Sequence, residues 1–146
     1  RQRFFGPLRA VASVIGENAL RPADLSARYG GEEFATIMPE TDHKGARKVA
    51  ERLRSVLAEL RLKHGAPQAG PLVTLSIGIA TEIPDEDVCP DWLLTQADQA
   101  LYAAKHSGRN CVVSADKILA TFAGLAGGHG QETAATGEVK SALRRR

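Results

Sequence analysis

Cysteine, aromatic side chains, long apolar runs and a decided excess of one charge are all scarce in this sequence, and each scarcity removes a class of protein. Cys89 and Cys111 are the two cysteines, and neither a CxxC pair nor a Cys/His metal spacing includes them, which argues against a zinc knuckle or a disulfide framework and for a reducing, cytoplasmic setting. No apolar run approaches the roughly 20 residues that cross a bilayer. Nothing at the start resembles a signal peptide, so no membrane contact is expected from this segment. Lys and Arg number 19 against 17 Asp and Glu, a formal charge of +2, too small to point to DNA. Arg144, Arg145 and Arg146 close the chain in a row, read as a solvated end in preference to a polyanion patch. No P-loop or dinucleotide glycine fingerprint is present. The chain opens on Arg1 and not on Met, which suggests a start inside a larger translated product.

What is present is 43% hydrophobic residues over 146 positions, enough for one modest core. Leu8, Val11, Ala12 and Ile15 recur at helical spacing and predict a helix over residues 8–18. Arg21-Pro22-Ala23-Asp24 interrupts it, because Pro22 disfavours the helical conformation at Arg21 and cannot donate. A strand over 25–29, a turn at Gly30-Gly31 and a returning strand over 34–38 follow. Pro39 ends that strand, and Thr41 or Asp42 can cap the next element. Ala46, Val49, Ala50, Leu53, Val56, Leu57 and Leu60 give the clearest helical stripe, with Lys44, Lys48, Glu51, Arg52 and Glu59 on its solvated face.

Residues 63–71 form a Gly/Pro-containing connection. Val73, Leu75, Ile77 and Ile79 then alternate with Thr74, Ser76 and Gly78, which is strand periodicity. Trp92, Leu93, Ala97, Ala100, Leu101 and Ala104 mark another helix, Gly108 can close it in a left-handed cap, and residues 111–113 form a last short strand. The expected fold is α/β, a mixed central sheet with packed helices, mixed because of the hairpin. Residues 1–113 would form the domain. Residues 114–146, rich in Gly and Ala, read as a flexible tail, with a short helix over 115–122 as an option.

Arg28-Tyr29-Gly30-Gly31-Glu32-Glu33-Phe34 is the most informative segment. Adjacent carboxylates at a strand start point in different directions, so one can face a cation while the other faces a substrate group. Carboxylate oxygens suit Mg²⁺, and glycines let a bulky anion approach the turn. A Gly-Gly turn with solvent-facing glutamates is the plain alternative.

Gly30-Gly31-Glu32-Glu33-Phe34 resembles the signature of the GGDEF family of diguanylate cyclases in its Glu variant. The similarity continues through Ala50-Glu51-Arg52-Leu53-Arg54, Val73-Thr74-Leu75-Ser76-Ile77-Gly78-Ile79, Ala97-Asp98-Gln99-Ala100-Leu101-Tyr102-Ala103-Ala104-Lys105 and Ser107-Gly108-Arg109-Asn110. It covers residues 8–113 in the family's order and spacing.

The resemblance implies condensation of two GTP into cyclic-di-GMP and two pyrophosphates, by a homodimer in which each domain holds one nucleotide. Glu32 and Glu33 would be the catalytic acids and ligands of Mg²⁺ or Mn²⁺, Gly30 and Gly31 would leave room for phosphate, and Lys105 and Arg109 would grip the triphosphate. Arg21 and Asp24 resemble the family's RxxD inhibitory motif, with Arg52 as the second arginine of that product site. An ordinary ion pair is the other reading of Arg21 and Asp24, worth only ~0–1 kcal/mol. The implied setting is a cytoplasmic output domain of a larger membrane-attached or soluble signalling protein.

The pattern is broken at its start. A complete domain of this family opens with a strand whose aspartate binds metal, followed by an asparagine and a Gly-Asp that read guanine. Phe4 and Phe5 stand near the expected Gly-Asp, and neither can replace a carboxylate. The fragment is therefore expected to lack the first, central strand, to expose the edges of its neighbours, and to be inactive in isolation. A catalytically degenerate cyclic-di-GMP-binding regulatory domain is the alternative function, and an inert regulatory or dimerisation fragment is a third.

Overall fold

The computed structural model describes residues 5–18, 21–64, 71–84 and 89–116. Their order is α1 (Phe5–Asn18), β1 (Leu25–Arg28), β2 (Phe34–Ile37), α2 (His43–Glu59), β3 (Ile77–Ile79), α3 (Pro90–His106) and β4 (Val112–Ser114). Helix α1 starts three residues before its predicted stripe. Asp42, not Thr41, caps α2, its carboxylate accepting from the Gly45 N–H at 2.8 Å. Gly108 leaves α3 at φ +100°, the left-handed exit expected of it.

The α/β class holds, with helices packed on strands of both orientations. β1 and β2 pair antiparallel, Leu25 opposite Ile37 and Arg28 opposite Phe34, while β3 and β4 pair parallel, Ile77 opposite Val112. Among the described residues the strands form two separate pairs, not one continuous sheet. The strand predicted over 73–79 is correspondingly short. Of its alternating residues only Ile77–Ile79 make a ladder, and upstream Leu72 makes a single bridge to Lys63. Alternation marks a half-buried extended segment, but a ladder also needs a neighbour to receive its hydrogen bonds.

One core joins α1 to α2 through Val11, Val14, Ile15, Leu53 and Leu57, with Phe34 of the hairpin and Val73, Leu75 and Ile77 packed against it. A second joins α2 to the parallel pair through Ala46, Ala50, Ile79 and Val112. Helix α3 lies against β3 with Ala100 and Ala104 fully buried. It lies so close that a methyl group on Gly78 would come within 2.2 Å of the Ala97 carbonyl oxygen and 2.3 Å of the Leu101 nitrogen. The missing Cβ is what lets the helix backbone rest on the strand. On the outer side of the hairpin, Leu25 and Ile37 face each other at about 60% exposure.

Ser114 and Ala115 are buried, two residues past the expected domain edge at 113. Of the tail expected over 114–146, Ser114 ends β4 and residues 115 and 116 are helical; the remainder, with the rest of the optional helix over 115–122, lies outside the described residues. Among the described residues no helix is long and apolar enough to cross a membrane.

Candidate functional site

The acidic turn is held from its own backbone. The Glu33 carbonyl accepts from the Tyr29 N–H at 2.8 Å and from the Gly30 N–H at 3.2 Å, and the Arg28 side chain donates to the carbonyls of Gly30 and Gly31. Glu33 is thereby fixed at the foot of β2 while Glu32 stands exposed in the turn. A methyl group at Gly31 would meet nothing within 4 Å, so the outer side of the turn is open space.

Helix α3 brings its last turn to this hairpin. Lys105 Nζ donates to Glu33 Oε1 at 2.9 Å, with both side chains roughly 40% exposed. Carboxylate and ammonium are in direct contact, as opposite charges at this range attract. Beyond α3, Gly108, Arg109 and Asn110 follow one another at φ +100°, +62° and +47°. Arg109 is exposed, and no described residue holds its guanidinium.

Among the described residues no three His, Cys, Asp or Glu side chains converge to cage a metal ion. Carboxylate oxygens such as those of Glu32 and Glu33 are of the donor type a hard cation like Mg²⁺ takes.

Arg21, Asp24 and Arg52 come together in an open cavity of about 350 Å³, beside Thr41 and Lys48. The Asp24 side chain is 4% exposed and pairs with Arg21 at 3.2 Å. Arg21 also donates to the Pro39 carbonyl at 2.8 Å and to the Thr41 hydroxyl. Sequence reasoning missed Thr41 and Lys48 here. Lys48 was legible, because Gly45, Lys48, Val49 and Arg52 share one face of α2 at 3, 4 and 7 spacing. A further cavity of about 410 Å³ separates α1 from the hairpin, walled by Leu8, Ala12, Ile15 and Phe34 with Arg9 and Arg28 at its edge.

The glycine-bordered acidic turn thus meets a lysine in the last turn of α3 on an α/β scaffold. The profile of the family described as diguanylate cyclase, GGDEF domain, matches residues 7–111, and the chain belongs to that family. The response regulator PleD of Caulobacter vibrioides is 42% identical over 108 residues, 73% of this chain and 23% of PleD. The probable diguanylate cyclase DgcT of Escherichia coli is 38% identical over 114 residues, 76% of this chain and 24% of DgcT. The GGDEF domain of DgcB from Caulobacter crescentus, solved in complex with c-di-GMP, superposes with a TM-score of 0.69 at 36% identity, over 80% of this chain and 67% of that one. The chain spans about a quarter of the length of the curated relatives it matches.

Proposed function

We propose that this chain supplies one half-site of a diguanylate cyclase, condensing two GTP into cyclic-di-GMP and two pyrophosphates as a homodimer. The observation that supports the reading most is the contact of Glu33 with Lys105 at 2.9 Å, an acid beside a cation of the kind that could grip phosphate. In the reaction the 3′-oxygen of one GTP bonds to the α-phosphorus of the other. The bond from that phosphorus to the bridging oxygen breaks, and pyrophosphate leaves. A second such step closes the ring.

Glu32 and Glu33 would hold Mg²⁺ or Mn²⁺, and Glu33 lies where it can assist removal of the hydroxyl proton. When bound, the ion supplies charge neutralisation at the transferring phosphoryl group and a lowered hydroxyl pKa. Lys105 exchanges its carboxylate partner for phosphate, and with Arg109 it spreads the charge that grows on the leaving pyrophosphate. Gly30 and Gly31 leave space beside these oxygens. The apolar-walled cavity between α1 and the hairpin would suit a flat base.

Incubating the full-length protein that carries this domain with GTP and Mg²⁺ should yield cyclic-di-GMP, and Glu33→Gln should stop it. Absence of product, with nucleotide binding indifferent to Glu33→Gln, removes the cyclase reading.

A second reading, a cyclic-di-GMP-binding regulatory domain without turnover, is favoured by the cavity that gathers Arg21, Asp24 and Arg52 and by Phe4 and Phe5 near the family's Gly-Asp. Arg21 would fork onto product phosphate and Asp24 would accept from guanine N–H groups. Under this reading calorimetry gives cyclic-di-GMP binding that Arg21→Ala removes, while GTP remains intact.

A further inference from the structure

We infer that Arg54 is a positioning residue for the triphosphate grip, acting on Arg109 through Asn110 from the opposite helix; this rests on the proposed role of Arg109. After α3 the chain takes three successive left-handed residues. Gly108 adopts such a conformation without penalty, but Arg109 and Asn110 carry side chains that disfavour it, Asn less than Arg. Such a turn persists only where its surroundings hold it. One hold is local, the Arg109 N–H donating to the Ala104 carbonyl at 3.1 Å.

The other hold comes from 56 positions away: Arg54 Nη1 donates to Asn110 Oδ1 at 3.4 Å. Arg54 is itself aimed. Its Nε donates to Glu51 Oε2 at 3.0 Å, one turn back on α2, and Arg47 approaches the other Glu51 oxygen at 3.7 Å. The guanidinium fork thus spans an acid on its own helix and the amide next to Arg109. Lysine has one nitrogen and cannot span both in this geometry. Arg54 is bonded neither to the acidic turn nor to Lys105. Its influence therefore runs through the direction in which Arg109 leaves the turn.

The test is a double-mutant cycle on the full chain, titrated with inorganic tripolyphosphate and, separately, with GTP. Arg109→Ala should weaken binding about 10-fold or more, as expected for a lost charge-assisted contact. Arg54→Ala should weaken it about 3-fold or more, and Arg54→Ala combined with Arg109→Ala should be no weaker than Arg109→Ala alone, since coupled residues are non-additive. Asn110→Gly serves as the fold-safe variant, because glycine accepts the left-handed backbone yet breaks the Arg54 contact; it should reproduce the Arg54→Ala loss with thermal stability kept. Arg54→Lys should not rescue.

Losses that multiply in the double variant, or an Arg54→Ala chain that binds like the parent while Arg109→Ala does not, overturn the positioning role alone. Tripolyphosphate binding that ignores Arg109→Ala, or no binding at all, overturns the triphosphate grip and the positioning role with it.

Discussion

Glu33 and Lys105, 72 positions apart in sequence, meet at 2.9 Å where the acidic hairpin touches the end of α3. Both side chains are substantially exposed, so the contact contributes little to stability, ~0–1 kcal/mol for a solvent-screened pair. Lys105→Met should leave the thermal midpoint within a few degrees of the parent. GTP turnover by the full-length protein should fall about 100-fold or more, the scale of a lost charge-stabilising group. A large midpoint drop with activity retained would reverse this assignment and make the pair structural.

Gly78→Ala should be severe for a buried single methyl group. The added carbon would lie 2.2 Å from the Ala97 oxygen and 2.8 Å from the Leu101 Cα, all backbone atoms that no rotamer change can move aside. Helix α3 must shift away from β3, at a cost of about 1–3 kcal/mol or more. Urea unfolding checks the stability, and displaced amide resonances at Lys105 and Arg109 would report the shift. An unchanged urea midpoint would show that the strand and helix have slack between them.

Arg21→Ala should weaken cyclic-di-GMP binding by about 10- to 100-fold, the equivalent of one charge-assisted hydrogen bond. The Asp24 side chain is 4% exposed beside it, so Arg21→Ala also removes one of that carboxylate's partners. Arg21→Lys separates the two effects. It keeps the charge near Asp24 but loses the fork, and should restore stability without restoring affinity. Calorimetry with cyclic-di-GMP, beside thermal melts of both variants, decides the matter; equal affinity in all three proteins would remove Arg21 from the product site.

Leu57 is fully buried where α1 meets α2. Leu57→Ala should cost about 2–5 kcal/mol of unfolding free energy, the transfer loss plus the cavity left behind. Denaturant unfolding measures it directly. A loss below about 1 kcal/mol would mean that the core collapses onto the vacated space.

Where a signal is local, the sequence reading and the structure agree. Helix α2 has an unbroken stripe and an Asp at its head, and the hairpin has two glycines between apolar runs. Both elements form where periodicity and turn chemistry place them. The segment over 73–79 fell short because its pattern describes burial, whereas a ladder depends on what lies alongside. The site divides similarly. Glu32, Glu33, Lys105 and Arg109 were readable as motif residues, but the closure of Glu33 on Lys105 depends on how closely α3 approaches β3, which Gly78 sets from outside the site. Arg54 stood in the family-like run over 50–54, but nothing there pointed to a role for it. It sits beside charged neighbours on a helix like any solvated residue, and only the fold shows that its far nitrogen reaches Asn110.

The two thiols differ in a way that has a practical use. Cys89 is exposed at the head of α3, whereas Cys111 is partly covered past its tail with its sulfur leaning on the Ala104 carbonyl. A maleimide dye should therefore label the first well before the second. The fluorophore would sit at the opposite end of the helix whose last turn carries Lys105, an optical reporter on α3 placed away from the acidic turn.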